Sequence, residues 1–240
     1  MNIRLAAAFA LMILFSANSS AEDAKDDLRQ ALSALLSTDV PADVLVETSA
    51  KGVFEWTDGS EVYYVTLIDG HVIVGEVYNV ENQSTLRQEK TQIALNQVLA
   101  DMPSEELIVF PASDRQRTIT VFTDIDCGYC RRFHNEVPQL NAAGVEVRYV
   151  AYPRAGIGSS SYDKIVTVWC SDDQQSAMTR AKQGEHLSPK TCENPVAEHF
   201  QSGSEAGISG TPTLIVDDGT IIGGYVPAEQ LLARLNVASN

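Results

Sequence analysis

A pair of cysteines separated by two residues limits the possible folds of this chain more than any other sequence feature. Cys127 and Cys130 follow the apolar, β-prone run Val121–Thr123 and a short polar turn. The residues after Cys130 favour a helix, so the pattern predicts a strand, a turn and a helix with the first sulfur at its positive end. A helix N-terminus stabilises a thiolate. We therefore expect Cys127 to be a nucleophile near neutral pH.

The first residues have the pattern of an export signal. A basic residue, Arg4, precedes an apolar core of 11 residues from Leu5 to Phe15, and small residues lead to a predicted cleavage site after Ala21. A membrane-spanning helix needs about 20 apolar residues, which neither this core nor any later segment provides. We predict that residues 1–21 are a signal peptide and that the mature protein is soluble and periplasmic.

The chain is strongly acidic. It has 17 Lys and Arg residues against 32 Asp and Glu residues, which gives a net charge of −15 at pH 7. Loss of the signal peptide would remove one positive and no negative charge, so the mature chain would carry −16. Such a surface repels phosphate groups, and nucleic acid is therefore excluded as a partner.

Residues 22–83 are predicted to form a small domain with a helix and an antiparallel sheet. Apolar residues recur at helical spacing from Asp26 to Leu36. Three β-prone runs follow, with Asp-Gly pairs between them that are typical of hairpins: Val53–Thr57, Val62–Ile68 and Val72–Tyr78. A unit of about 60 residues has a marginal core. We expect it to dimerise through a sheet edge, or to be a monomeric cap on the second domain.

Residues 84–103 are predicted to form a linker helix. The segment contains no Gly, opens with a capping-box pattern and ends at Pro103. An apolar stripe in its second half is expected to dock on the following domain; it consists of Leu95, Val98, Leu99 and Met102.

Residues 104–240 are predicted to form an α/β domain. Its β-prone runs are Ile108–Phe110, Arg117–Phe122, Val145–Val150, Thr213–Val216 and Thr220–Ile222. A helix that follows the cysteines and ends near Asn141 separates the second run from the third, which indicates parallel pairing of these two strands. A hairpin around residues 217–219 and a last helix from Pro227 complete an α/β sandwich.

The four cysteines of an exported chain most simply make two disulfides. Adjacent pairing, Cys127 with Cys130 and Cys170 with Cys192, is favoured because the first two lie within one helical turn. The sequence leaves the other pairings open. We interpret Cys170 and Cys192 as a structural disulfide that closes a loop.

A Cys-X-X-Cys motif after a strand is typical of thioredoxin-like redox proteins. Four segments together resemble the DsbC family of periplasmic thiol:disulfide interchange proteins, which are disulfide isomerases: Thr120–Cys130, Val147–Arg154, Val168–Cys170 and Gly207–Pro212. The likeness covers most of the mature chain. It implies an α+β N-terminal dimerisation domain and an α/β, thioredoxin-like catalytic domain with a helical insertion at about 155–205.

The resemblance also implies an activity. Cys127 would attack a wrong disulfide in a client protein, and Cys130 would resolve the mixed disulfide if rearrangement stalls. The residues expected to contact the client are Gly128, Tyr129, Thr211 and Pro212, with a cis Thr211–Pro212 bond. The family implies a V-shaped homodimer, wrongly disulfide-bonded exported proteins as clients and a membrane thiol reductase as electron donor. We expect no cofactor and no metal.

Charged neighbours of the motif could tune the Cys127 thiol. Arg131 and Arg132 would favour the thiolate, whereas Asp126 would oppose it and make the thiol more basic. The alternatives are a solvated helix face for the arginines and a helix cap for Asp126. Asp124 is expected either to assist proton transfer beneath the cysteines or to cap the turn.

The four histidines are interpreted as non-catalytic, because they have no acidic or cysteine neighbours at ligand spacing: His71, His134, His186 and His199. His134 follows Cys130 by one helical turn. We interpret it as a surface histidine rather than one that senses the thiolate.

Other functions fit parts of the pattern. The same scaffold could be a net oxidant, a DsbG-like reductase of sulfenylated cysteines, or a holdase chaperone that binds unfolded clients. A zinc site made by the four cysteines would need a second close pair, and the spacing of Cys170 and Cys192 does not provide one.

Overall fold

The computed structural model describes residues 21–59 and 61–238. Their contacts divide the chain into two compact units, which meet in the sequence between Arg87 and Gln88. The predicted signal peptide lies outside the described residues except for Ala21. Within these ranges, no helix is long and apolar enough to cross a membrane.

The first unit has one long helix and a four-stranded antiparallel sheet. Helix α1 is Ala21–Leu36, and the strands, in their order across the sheet, are β1 (Leu45–Glu47), β2 (Phe54–Asp58), β3 (Glu61–Ile68) and β4 (His71–Val74). The predicted helix and both Asp-Gly hairpins are confirmed.

Two predicted boundaries of this unit are wrong by several residues, and one strand was not predicted. Helix α1 begins at Ala21 rather than Asp26, because two acidic residues in its first turn face the positive end of the helix. The prediction misses β1, because three residues are too few to show an alternating pattern. Strand β4 ends at Val74 rather than Tyr78.

The core of the first unit forms from α1, the segment after it and the sheet. It consists of Leu28, Leu32, Val40, Leu45, Phe54 and Val65, none more than 3% exposed. Six buried side chains make a small core, which agrees with the marginal stability expected for a unit of this size.

Helix α2 (Leu86–Asp101) contains the division between the units in its first turn. Its later residues belong to the second unit, where Leu95 is 1% exposed and packs in a cluster with Phe122, Val150, Tyr152 and Ile215. The Gln92 side chain donates a hydrogen bond of 2.8 Å to the Gly219 carbonyl oxygen. The predicted docking of the apolar stripe is confirmed.

The second unit is a five-stranded mixed sheet with helices. Its strands are β5 (Ile108–Phe110), β6 (Arg117–Thr123), β7 (Val145–Ala151), β8 (Thr213–Val216) and β9 (Ile221–Gly223), in the spatial order β5-β7-β6-β8-β9. Strands β6 and β7 are parallel, as predicted, because helix α3 (Gly128–Ala142) connects them. The other strand pairs are antiparallel.

The helical insertion lies between β7 and β8. It comprises α4 (Ser160–Trp169), α5 (Gln174–Lys182) and α6 (Val196–Glu205), and α7 (Ala228–Arg234) follows the last strand. Helix α5 contacts α3, so the insertion reaches the helix that begins at the cysteine motif.

The central strand, β6, positions the cysteine motif. The chain leaves the sheet after Thr123, turns, and enters α3 at Gly128. Phe122 on β6 lies opposite Thr213 on β8. Because β8 begins directly after Pro212, the loop that ends at Pro212 lies beside the cysteine loop, although the two are far apart in sequence.

Candidate active site

The two cysteines of the motif are reduced thiols at the start of α3. Cys127 is the N-cap of the helix, and its sulfur accepts a hydrogen bond of 3.4 Å from the Cys130 amide. The Cys127 sulfur lies 3.3 Å from the Thr211 carbonyl oxygen, to which it donates a hydrogen bond when it is protonated. The Thr211–Pro212 bond is cis, as the resemblance implies. The fold thus brings these four residues together.

The surroundings separate the acidities of the two thiols. The pKa of Cys127 falls from 9.0 to about 5, chiefly because the Cys130 thiol donates a hydrogen bond to its sulfur, although burial opposes this change. The Thr211 side chain, the Cys130 amide and the positive charge of Arg154 also lower it. Burial, together with the hydrogen bond to Cys127, raises the pKa of Cys130 well above its ordinary value. At neutral pH, Cys127 is therefore a thiolate and Cys130 a thiol.

The Cys127 sulfur is buried. The residue is only 2% exposed, and Cys130 is completely buried. The Thr211 carbonyl oxygen lies against this sulfur and covers part of it. Gly128 and Tyr129, which follow Cys127 in the chain, are exposed.

The Asp126 carboxylate is neutralised by two cations. Both of its oxygens lie 2.8 Å from the Lys164 ammonium, and the Arg131 guanidinium lies 3.4 Å from one of them. The Cys127 pKa of about 5 is set by groups other than Asp126, so the prediction that Asp126 makes the thiol more basic than in relatives without an acid at this position stays a prediction. The capping alternative for Asp126 is also wrong, since Cys127 is the N-cap.

The Asp124 carboxylate is buried and fully engaged by hydrogen bonds. It accepts them from the Ser161 hydroxyl, from the Arg154 amide at 2.9 Å and from the Asp126 amide at 2.8 Å. Burial alone would raise the pKa of Asp124, but these bonds hold it below its ordinary value. The turn-capping interpretation fits this geometry better than proton transfer, because the carboxylate stays ionised.

The interpretation of His134 as a surface residue is wrong. It is 4% exposed, and its two ring nitrogens lie 2.9 Å from the Tyr149 hydroxyl and 3.0 Å from the Thr179 hydroxyl. Thr179 belongs to α5, so it is the insertion that covers this side of α3. Burial, followed by the charge of Lys182, lowers the pKa of His134 to about 4. The ring is neutral at pH 7 and has a packing role.

Lys182, at the end of α5, is a residue that the sequence reasoning missed. It is 2% exposed, and its ammonium donates hydrogen bonds to the Thr123 hydroxyl at 2.6 Å and to the Asp124 carbonyl oxygen at 2.8 Å. Both acceptors lie just before the cysteine motif. A sequence signal exists, because Lys182 interrupts the apolar face of α5 formed by Ala177, Met178 and Ala181.

The other two cysteines are joined in a disulfide. Cys170 follows α4, Cys192 lies in the loop before α6, and their Cα atoms are 5.6 Å apart. In residues 21–59 and 61–238, no cluster of His, Cys, Asp or Glu could hold a metal ion.

Both halves of the chain match known protein families. Residues 17–88 match the disulfide bond isomerase protein N-terminal domain, and residues 103–239 match a thioredoxin-like domain. The thiol:disulfide interchange protein DsbC of Escherichia coli K12 is 33% identical over 224 residues, which cover 93% of this chain and 91% of that protein. The DsbC of Dickeya dadantii is 37% identical over 175 residues, covering 73% and 72%.

A solved structure of a disulfide interchange protein is also similar to this chain. The disulfide interchange protein from Neisseria gonorrhoeae has 30% sequence identity and a TM-score of 0.52, and the match covers 56% of this chain and 96% of that one. A reduced cysteine pair between the central strand and a helix of such a domain defines a thioredoxin-like thiol-disulfide oxidoreductase. With both domain matches and the curated relatives, the chain belongs to the DsbC family of thiol:disulfide interchange proteins.

Proposed function

We propose that the protein is a periplasmic isomerase that rearranges wrong disulfides in exported proteins, with Cys127 as attacking and Cys130 as resolving sulfur. The supporting observation is the difference in acidity within one helical turn, since Cys127 has a pKa of about 5 and the pKa of Cys130 is raised. A thiol of low pKa attacks as a thiolate and also leaves readily from a mixed disulfide. An isomerase needs both properties, because it forms and breaks the same bond.

In the rearrangement, the Cys127 thiolate attacks one sulfur of a client disulfide. The client disulfide breaks, a bond forms between Cys127 and the client, and the other client sulfur leaves as a thiolate. That thiolate attacks another client disulfide, and a later client thiolate displaces Cys127. The client gains and loses no electrons overall.

If rearrangement stalls, Cys130 provides an escape. It loses its proton, attacks the sulfur of Cys127 and releases the client as a thiol. Two electrons pass to the client, and the protein retains a Cys127–Cys130 disulfide. A membrane thiol reductase would then have to reduce this disulfide.

Client binding involves the exposed surface around the sulfur. Gly128 and Tyr129 are exposed, and the Arg132 guanidinium lies 5.8 Å from the centre of the Tyr129 ring. The backbone of Thr211 and Pro212 borders the other side of the sulfur and offers hydrogen-bonding groups to an extended client segment.

We assign residues 1–21 to a signal peptide, 22–83 to a dimerisation domain, 84–103 to a linker helix and 104–240 to the catalytic domain. The first unit has a small core and exposed apolar residues that a second copy could cover: Val46, Ile73, Val74, Tyr78 and Val80. Light scattering of the mature chain should give the mass of a dimer; a monomer would refute this assignment.

Refolding of scrambled ribonuclease in mildly reducing buffer tests the proposed activity. The protein should restore ribonuclease activity, and Cys127→Ser should abolish this because no mixed disulfide forms. Cys130→Ser should start to rearrange the substrate but accumulate as trapped mixed disulfides, which non-reducing electrophoresis detects. An active Cys127→Ser variant would refute the assignment.

The same set of variants distinguishes the alternative functions. A net oxidant would form disulfides in reduced ribonuclease but would not repair the scrambled form. A reductase of sulfenylated cysteines would act on a sulfenylated peptide and leave scrambled ribonuclease unchanged. A holdase would suppress aggregation equally well with Cys127→Ser.

A further inference from the structure

A buried cation without a buried carboxylate partner lies beneath the cysteine motif. The Lys182 ammonium donates to two neutral oxygens, the Thr123 hydroxyl and the Asp124 carbonyl. Within the described ranges, it makes no salt bridge with a carboxylate. The Asp124 carboxylate is engaged instead by Ser161 and Arg154.

Such an arrangement is unfavourable unless negative charge compensates for it. Moving an ammonium out of water is costly, and hydrogen bonds to neutral oxygens recover only part of that cost. The Tyr149 ring, 6.0 Å from the ammonium, adds a weak attraction. Burial lowers the pKa of Lys182 to about 8, which leaves the side chain mostly charged at pH 7, and nearby negative charge stabilises its ammonium form.

The cysteine sulfurs are the groups that meet this need. The titratable and charged groups facing Lys182 are Cys130, Cys127, Asp124, Arg131, His134 and Tyr149. His134 and Tyr149 are neutral at pH 7, and Arg131 adds positive charge. The Asp124 carboxylate contributes negative charge, but its hydrogen bonds keep it ionised throughout, so this contribution does not change during the reaction. Cys127 and Cys130 remain as the groups whose charge changes during the reaction.

We propose that Lys182 is a positioning residue for the escape step, and that its buried positive charge stabilises the Cys130 thiolate while Cys127 is bonded to a client. This inference rests on the proposed function, in which Cys130 resolves the mixed disulfide. Lys182 thereby sets how fast the protein abandons a stalled client.

The charge balance explains why the effect falls on this step. In the reduced protein, the Cys127 thiolate adds to the negative charge near Lys182. When Cys127 bonds to a client sulfur, it loses its charge, and it also no longer accepts the hydrogen bond that holds the proton on Cys130. Ionisation of Cys130 then restores a negative charge near Lys182. The Cys130 proton goes to solvent, the Cys130 sulfur bonds to Cys127, and the client sulfur leaves with the electron pair.

Oxidised glutathione is a suitable probe, because its reaction with the reduced protein separates the two steps. Formation of the mixed disulfide releases one glutathione, and the escape step releases the second. Reactions run at pH values from 5 to 9 and stopped by rapid addition of acid give a rate constant for each of the two steps. With Lys182→Met, the second step should slow about three- to tenfold at pH 7, because a smaller fraction of Cys130 is ionised. The slowing is not larger because the more basic Cys130 thiolate is also somewhat more nucleophilic, which offsets part of the loss.

The pH profile separates an electrostatic role from a packing role. The second step of Lys182→Met should shift to higher pH, and Lys182→Arg should restore the original profile. Lys182→Gln keeps hydrogen-bond donors without charge and gives the same test if the methionine variant does not fold. Lys190→Met is the matched control, because this lysine of the same insertion pairs with Asp172 on the surface; its profile should not move.

Two results would overturn the inference: an unchanged second step in the neutral variants, or a uniform slowing without a shift of the pH profile. Failure of the proposed function looks different. If Cys130→Ser still releases the second glutathione at the original rate, the resolving role of Cys130 is wrong, whatever the Lys182 variants show.

Discussion

The second unit contains two pairs of cysteines in opposite environments. Cys127 and Cys130 are buried, reduced cysteines within one helical turn, close to the buried ammonium of Lys182. Cys170 and Cys192 form a disulfide between the end of a helix and a loop, where Cys192 is exposed. The comparison shows that the surroundings of a cysteine decide its chemistry. A helix N-terminus and nearby donors stabilise a thiolate, whereas a closed loop stabilises the fold.

Replacing the Cys127–Cys130 pair should have the largest effect on activity, whereas replacing the Cys170–Cys192 pair should have little effect on it. Cys127→Ser with Cys130→Ser should reduce isomerisation of scrambled ribonuclease to the buffer rate, because the attacking sulfur is lost. Cys170→Ser with Cys192→Ser should retain activity within about twofold at a temperature where it is folded, since this disulfide joins the end of α4 to the loop before α6 and its sulfurs are not those proposed to react. Equal losses in both double variants would break the comparison.

The pH dependence of alkylation should sharpen this comparison of the two cysteine pairs. Cys127 should react with iodoacetamide with a midpoint near pH 5, whereas the unfolded chain should titrate near 9.0. Cys130→Ala removes the hydrogen bond that lowers the pKa most, so the midpoint should move upward. A midpoint that stays near 5 in this variant would show that another group stabilises the thiolate.

The same ionisation makes the stability of the reduced protein depend on pH. Because the pKa of Cys127 is lower in the folded state, its stabilising contribution is complete above about pH 9 and is lost as the pH falls toward 5. Relative to Cys127→Ser, the free energy of unfolding should therefore rise between pH 5 and pH 9. Urea denaturation in the presence of a reductant measures this difference, and parallel curves would contradict it.

The structural pair should contribute mainly to stability. Cys170 and Cys192 close a loop with a sequence separation of 22, so their replacement by serine should cost about 3 kcal/mol. Urea denaturation of the oxidised protein, compared with the double variant, measures this cost. A difference below about 1 kcal/mol would mean that the insertion holds its structure without the bond.

The smallest effect is expected at Asp126. Its carboxylate is already paired with Lys164 and Arg131 on a half-exposed surface, where such pairs contribute little. Cys127, with a pKa of about 5, is almost fully ionised at pH 7, so Asp126→Asn should change its alkylation rate there by less than about twofold. A larger change would show that the acid tunes the thiol.

Local sequence signals predicted much of this structure. The apolar run before Cys127 gave the central strand, Asp-Gly pairs marked both hairpins of the first unit, and the stripe containing Leu95 identified the docked half of α2. Each of these depends on neighbours within a few residues. The prediction failed at His134, because helix α5, about 45 residues further along the chain, covers it.

The sequence by itself therefore determined the redox motif, its place between a strand and a helix, and the family that uses it. Only the tertiary structure decided that the Thr211 carbonyl lies against the Cys127 sulfur and that Lys182 lies beneath the motif. The reason is physical: helix propensity and hydrophobic periodicity act over a few residues, whereas burial and charge compensation depend on which distant segments pack together.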